Sequence, residues 1–154
     1  MPMTLEQLRY QLSAIEPNDS TYTGIGPSEI PLLDQLLQDE EAWRASQAVF
    51  ALSRVPDAKA VTILSQAAAD PREEVRVAVA ASTSNLNPND ANSILLKLLN
   101  DTELGVRKFA IKAVSSAHNA AVHTKVQELE TQDPIPAIRD IAKSKVQELK
   151  LTGP

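Results

Sequence analysis

The sequence contains no cysteine, which excludes both a disulfide frame and a thiolate metal site. Aromatic residues are scarce (two Phe, two Tyr, one Trp) and there are only four glycines in 154 residues. Sheet proteins lean on aromatic and β-branched side chains, so this composition, rich in Ala and Leu, favours helices. No apolar run approaches the ~20 residues that span a bilayer. The opening MPMTLEQLRYQL has neither the basic start nor the apolar stretch of a signal peptide. Basic residues are also short, 15 Lys and Arg against 20 Asp and Glu for a net charge of −5, and they form no cluster of the kind a phosphate backbone requires. These absences predict a soluble, cytoplasmic, cofactor-free helical protein that neither binds nucleic acid nor inserts into a membrane.

Catalytic patterns are missing as well. The two histidines, His118 and His123, are five apart, a spacing that does not place them on one helical face, and no carboxylate near them completes a metal-ligand pattern. They are expected in a terminal turn or at the surface. No serine lies in a nucleophile elbow. The glycine pair in TGIGP, Gly24 and Gly26, lacks the strand-then-helix context and the basic residue of a phosphate loop, and is read as a turn.

What the chain does contain is a repeat. Aspartates recur at Asp39, Asp70, Asp101 and Asp133, in steps of 31, 31 and 32 residues, and arginines at Arg44, Arg76, Arg107 and Arg139. The two stand six apart in DPREEVR, DTELGVR and DPIPAIR, and five apart in the first copy, DEEAWR. A catalytic pair is not normally repeated at a fixed interval, so the spacing points to architecture. Ahead of each aspartate lies a segment with one apolar face: Leu33, Leu36 and Leu37, then Leu64, Ala67 and Ala68, then Leu95, Leu98 and Leu99, at the 3, 4, 7 spacing of a helix. The fourth copy slips by one and offers Val126 and Leu129. After each aspartate, read as an N-cap, a second helix begins, with Trp43, Val75, Val106 or Ile138 directed to the core. Pro27, Pro56, Pro88 and Asn119 mark the ends of the units.

DPREEVRVAVAA resembles the second-helix opening of HEAT-like repeats, and the likeness extends over residues 27–150. It implies an all-α, right-handed α-solenoid of about four helix pairs, at 27–56, 57–87, 88–118 and 119–150. Residues 1–26 form an N-terminal capping helix and loop, and 151–154 a tail. The cap helix is expected at about 4–16, with Leu5, Leu8, Leu12 and Ile15 on one face and a Thr4–Gln7 capping box. The resemblance also implies that Asp70, Arg76, Asp101, Arg107, Asp133 and Arg139 hydrogen-bond into a ladder along the solenoid, and that the second helices line its inner surface.

On those helices, offsets of one, four and eight from each arginine share a side. They supply the candidate partner-binding residues Ala48, Val77, Ala80, Ser84, Lys108, Ile111, Ser115 and Lys143, to which the loop residue Tyr22 is added. Small residues there also serve close packing between repeats. Carboxylates at the turns form an acidic rim, explained by helix N-terminal electrostatics or by a basic partner. The leading reading is a non-enzymatic module, monomeric alone, that binds another protein as adaptor, assembly factor or chaperone. The repeats are also similar to those of bilin lyase subunits and phycobilisome-handling proteins, which gives the alternative reading.

Overall fold

The protein, seen in a computed structural model, is described at residues 2–14 and 16–152. Among the described residues the regular structure is entirely helical. A short helix α1 (Leu5–Gln11) precedes four helix pairs: α2 (Ile30–Leu37) with α3 (Ala42–Leu52), α4 (Ala58–Ala67) with α5 (Glu73–Ser82), α6 (Pro88–Leu99) with α7 (Leu104–Ala113), and α8 (Ala120–Gln132) with α9 (Pro136–Thr152). First helices α2, α4, α6 and α8 pack in one row and second helices α3, α5, α7 and α9 in another. This is an α-solenoid of four helix pairs with an N-terminal cap. The second helices pack more extensively against one another than the first helices do.

The core runs between the rows, as the apolar spacing dictates. Leu33, Leu64, Leu95, Leu98, Leu99 and Val126 are fully enclosed, and Val75, Val106 and Ile138 face them from the second helices. Alanines at Ala45, Ala48, Ala51, Ala80, Ala110 and Ala142 are buried along the second helices; their short side chains let the helix backbones approach. At the N-terminal end, Thr4 Oγ1 accepts from Gln7 N–H at 3.1 Å and Gln7 Oε1 from Thr4 N–H at 2.9 Å. Leu8 and Leu12 close the first pair. The helix stops at Gln11, earlier than the expected residue 16. There Gln11 Nε2 donates to the carbonyls of Thr21 and Thr23 at 2.9 and 2.7 Å, so the chain turns back on itself. Ile15 lies outside the described residues. The predicted long loop holds two 3-10 turns, Asp19–Tyr22 and Pro27–Glu29, and between them Gly24 takes a φ of 77°, which glycine alone adopts without strain.

The repeated aspartates are not the helix N-caps. Those positions fall to Glu41, Arg72 and Glu103, which make no side-chain cap bond. Each aspartate instead accepts the N–H two residues on, at 2.9 Å for Asp39, Asp70, Asp101 and Asp133 alike. At Asp101 and Asp133 that Asx turn presents the carboxylate to the arginine of the preceding repeat. Arg76 donates from Nε and Nη2 to the two Asp101 oxygens at 2.8 and 3.2 Å, while its Nη1 donates to the carbonyl of Asp70 at 2.9 Å. Arg107 repeats the arrangement on Asp133, at 2.8 and 3.1 Å, with Nη1 on the Asp101 carbonyl at 3.0 Å. Each guanidinium thus joins its own turn to the next. Asp101 holds the Arg76 guanidinium above its ordinary pKa against the opposing effect of burial.

At the first joint the expected arginine is displaced. The buried positions of α3, Ala45, Ala48, Val49 and Leu52, match Val75, Ala78, Val79 and Ser82 at a constant offset of 30 residues. The position of Arg76 is therefore held by Ser46, and Trp43 falls two residues ahead of the core position taken by Val75. That register leaves Trp43 49% exposed rather than in the core. The joint is closed from the other side by Arg72, a residue whose role the repeat spacing did not reveal. Arg72 binds Asp70 with Nε and Nη2, both at 3.0 Å. It also reaches the carbonyls of Asp39 and Leu37 at 2.7 and 2.9 Å. Burial alone would raise the Asp70 carboxyl, but the Arg72 hydrogen bonds outweigh it and leave the group below the ordinary carboxylate value.

The end of α7 has its own cation. Lys145 of α9, buried, donates to the carbonyls of Lys112 and Val114 at 3.2 and 2.8 Å and pairs with Glu148 at 2.9 Å. A positive charge at these last carbonyls opposes the negative end of the helix dipole.

Removing Arg107 leaves the Asp133 carboxylate, whose side chain is only 1% exposed, without its cation. Arg107→Ala should cost about 3 kcal/mol in denaturant unfolding, as expected when one partner of a buried pair is removed. Lys108→Ala on the next residue should stay within about 0.5 kcal/mol of wild type; equal small losses would show that the pair does not hold the repeats together.

Candidate partner-binding face

The structure separates the nine sequence-derived binding candidates. Ala48, Ala80 and Ile111 have no exposed surface. These three are enclosed within the stack and are not available to a partner. Val77 and Lys108 are half-buried, and Ser84, Ser115 and Lys143 are exposed. Tyr22 is half-buried and packs on the core, with the Arg54 guanidinium 4.3 Å from its ring centre. Arg54 in turn donates to Asp19 at 3.0 Å. These contacts tie the loop back onto the first repeat.

Different side chains occupy the open face. The large exposed apolar residues on second helices are Trp43, Leu104, Phe109 and Leu151, at 49%, 49%, 37% and 87%. Trp43 and Leu104 stand in the first turns of α3 and α7. Trp43 is oriented by a hydrogen bond from its indole N–H to Glu41 and by Arg44, 5.0 Å from its ring centre. Phe109 is flanked by the ammonium groups of Lys108 and Lys112, 5.8 and 5.9 Å from its ring centre. The signal in the sequence was the departure of each residue from its repeat: where Leu104 and Phe109 stand, the second copy has Glu73 and Ala78.

Charge divides this face along its length. Asp39, Asp70 and Asp101 are drawn into the turns, so the acidic rim consists of the exposed Glu40, Glu41, Glu73, Glu74 and Glu103. Lys108, Lys112 and Lys143 lie on the later helices. The exposed carboxylates thus lie at the first turns of α3, α5 and α7, beside Trp43 and Leu104, and the ammonium groups of Lys108 and Lys112 lie further along α7, beside Phe109.

The histidines form no metal site, and among the described residues no group of three or more His, Asp or Glu side chains could hold an ion. Both converge on Ser115: its N–H donates to His118 Nδ1 at 2.9 Å, and its carbonyl lies 2.9 Å from His123 Nε2. His118 is buried in the turn after α7, a position the sequence reading allowed. No described helix is long and apolar enough to cross a membrane.

An extended stack of helix pairs, joined by arginine–aspartate forks and presenting one row of helices, defines a repeat solenoid. A profile of HEAT repeats matches residues 29–115, more than half of the sequence. The chain belongs to the HEAT repeat family. Among solved structures it is similar to one of the complex of CpcE and CpcF of phycocyanin lyase from Nostoc sp. PCC7120, at 21% identity and a TM-score of 0.69, over 92% of this chain and 96% of that one. A designed armadillo repeat protein in complex with the peptide (KR)4 aligns at 18% identity and a TM-score of 0.56, over 94% and 81% of the two chains. No curated protein matches the sequence.

Burial holds the His118 imidazole below its ordinary pKa, with His123 and Lys145 acting in the same direction. A histidine depressed in the folded state takes up its proton at lower pH there than in the unfolded chain, which protonates near pH ~6.5. Its contribution to stability is therefore complete above about pH 6.5 and is lost as the pH falls below that value. Thermal unfolding followed from about pH 7.5 to about pH 5, a range that brackets the free histidine value, should show a falling Tm, with a shallower fall in His118→Gln. Parallel curves would assign the pH dependence to other groups.

Proposed function

We propose that this chain is a non-catalytic protein-interaction module that binds a partner protein across its second helices. The observation that carries this reading is the placement of Trp43, Leu104 and Phe109, large apolar side chains left open on α3 and α7 of a fold whose core is otherwise closed. Exposed aromatic anchors beside a charged rim are the usual makings of an interface. The partner's matching surface carries apolar groups to cover them, basic residues against Glu41, Glu73 and Glu74, and acidic residues against Lys108 and Lys112.

A second reading is favoured by a specific observation. The alignment with the CpcE–CpcF structure covers nearly the whole of both chains, which supports a bilin lyase subunit or a chaperone handling phycobilisome proteins. In that reading the partner is a second lyase subunit or a pigment-bearing protein.

Capture from a lysate of the source organism separates the two when wild type is run beside Trp43→Glu and Leu104→Glu, with folding checked by circular dichroism. A stoichiometric protein should be captured by wild type alone. Its purified form should then bind the variants at least tenfold more weakly, the loss of about 1.4 kcal/mol expected of one anchor. Unchanged affinity in both variants removes the second-helix face as the site. An eluate that absorbs visible light, or bilin transfer in a reconstituted assay, moves the lyase reading to first place.

A further inference from the structure

We propose that Arg139, the last arginine of the ladder, is a docking point for an aspartate carboxylate on a partner protein. The inference concerns another point on the row of second helices and rests on a comparison within the chain, not on the exposed apolar residues. Arg76, Arg107 and Arg139 occupy the same turn of α5, α7 and α9, six residues after their aspartates. All three hold the carbonyl of their own aspartate with Nη1, at 2.9, 3.0 and 2.6 Å. In Arg76 and Arg107 this anchoring sets Nε and Nη2 side by side, and both take a carboxylate across two bonds of 2.8 to 3.2 Å. Arg139 is anchored the same way, and among the described residues no carboxylate pairs with it. A planar fork fixed by one bond and half-buried has given up much of its side-chain freedom, so a carboxylate that meets it forms two charge-assisted bonds at low entropic cost. Lys143, one turn further along α9, is exposed and adds positive charge on the same side.

The two filled forks specify the ligand: an aspartate in a turn whose oxygens are directed outward by an Asx bond. A second copy of this chain is a weaker source of that group. Its Asp70, Asp101 and Asp133 are held by Arg72, Arg76 and Arg107, and its Asp39 lies 3.9 Å from both Arg9 and Arg44. Its Asp57 also accepts the N–H two residues on, from Lys59 at 2.8 Å, but as the N-cap of α4, a position that neither fork aspartate holds. A partner bearing its own turn aspartate meets the requirement, and it would extend the row of forks across the junction between the two proteins.

The full chain, labelled with nitrogen-15, allows each arginine Nε–H to be followed by NMR. The probes are sodium acetate against sodium chloride at constant ionic strength, and a peptide of residues 98–107 against its Asp101→Asn form. The Arg139 signal should move saturably with acetate and not with chloride, at concentrations at least about threefold below those that move Arg9, in keeping with a preformed bidentate site. It should also respond to the Asp101 peptide at least about threefold more readily than to the Asn form, and Arg139→Lys should abolish the selectivity. An Arg139 signal that follows Arg9 overturns the site. Acetate saturation with equal response to the two peptides overturns the protein aspartate as its ligand. A concentration-dependent dimer in sedimentation that Arg139→Gln abolishes overturns the partner, because the occupant is then a second copy.

Discussion

The fork between Arg107 and Asp133 shows what the stack depends on. A helix pair buries one face against its neighbours, but apolar packing is non-directional and does not fix the angle at which successive pairs meet. A guanidinium bound to two carboxylate oxygens on one side and to a carbonyl on the other fixes position and orientation together. Arg107 does this with four bonds, to both Asp133 oxygens and the carbonyls of Asp101 and Thr102. Taking two charges out of water is costly, and is tolerated only when their remaining bonding capacity is met. Among the described residues no buried side-chain nitrogen or oxygen is left without a partner.

The same requirement is met by different residues where the repeat is imperfect. In the first joint the arginine position holds Ser46, and Arg72 reaches back from the second pair to bind both the carboxylate of Asp70 and the carbonyl of Asp39. The joint is thus made of the same chemical groups with the cation supplied from the opposite side. Between the third and fourth pairs Lys145 adds a second cation, on the last carbonyls of α7. At the N-terminal end Arg9 of α1 stands 3.9 Å from Asp39, a looser contact that suits a capping helix only 7 residues long.

Rigid joints and a closed core give meaning to the apolar groups that remain open. Trp43, Leu104 and Phe109 are held on helices whose opposite faces are fully packed, so burying them against a partner requires little rearrangement of the scaffold. The charge beside them is acidic at Trp43 and Leu104 and basic at Phe109, so a partner would be read in register as well as in apolar area. A repeat solenoid suits that task because each pair adds surface without altering the others.

The Asp and Arg spacing, the leucine faces and the unit-ending prolines were enough to determine the helix pairs, their order and the core leucines, because those signals are local and recur in each copy. The capping box at Thr4 was legible for the same reason. What the sequence could not decide was what lies beside each second helix. Ala48, Ala80 and Ile111 share a helical side with Val77 and Lys108, and only the approach of the next helix encloses the first three and leaves the other two half-buried. Trp43 was misplaced because DEEAWR matches the other copies in composition but not in register, and register in α3 is set by which residues pack against α2 and α5. Arg72 was passed over because its partners, the carbonyls of Leu37 and Asp39, are more than 30 residues away and carry no side-chain signature. The sequence by itself determined which helices form and which faces they bury. Only the tertiary structure decided which small and apolar residues stay on the surface, because exposure depends on the distance between neighbouring helices and not on the periodicity of any one of them.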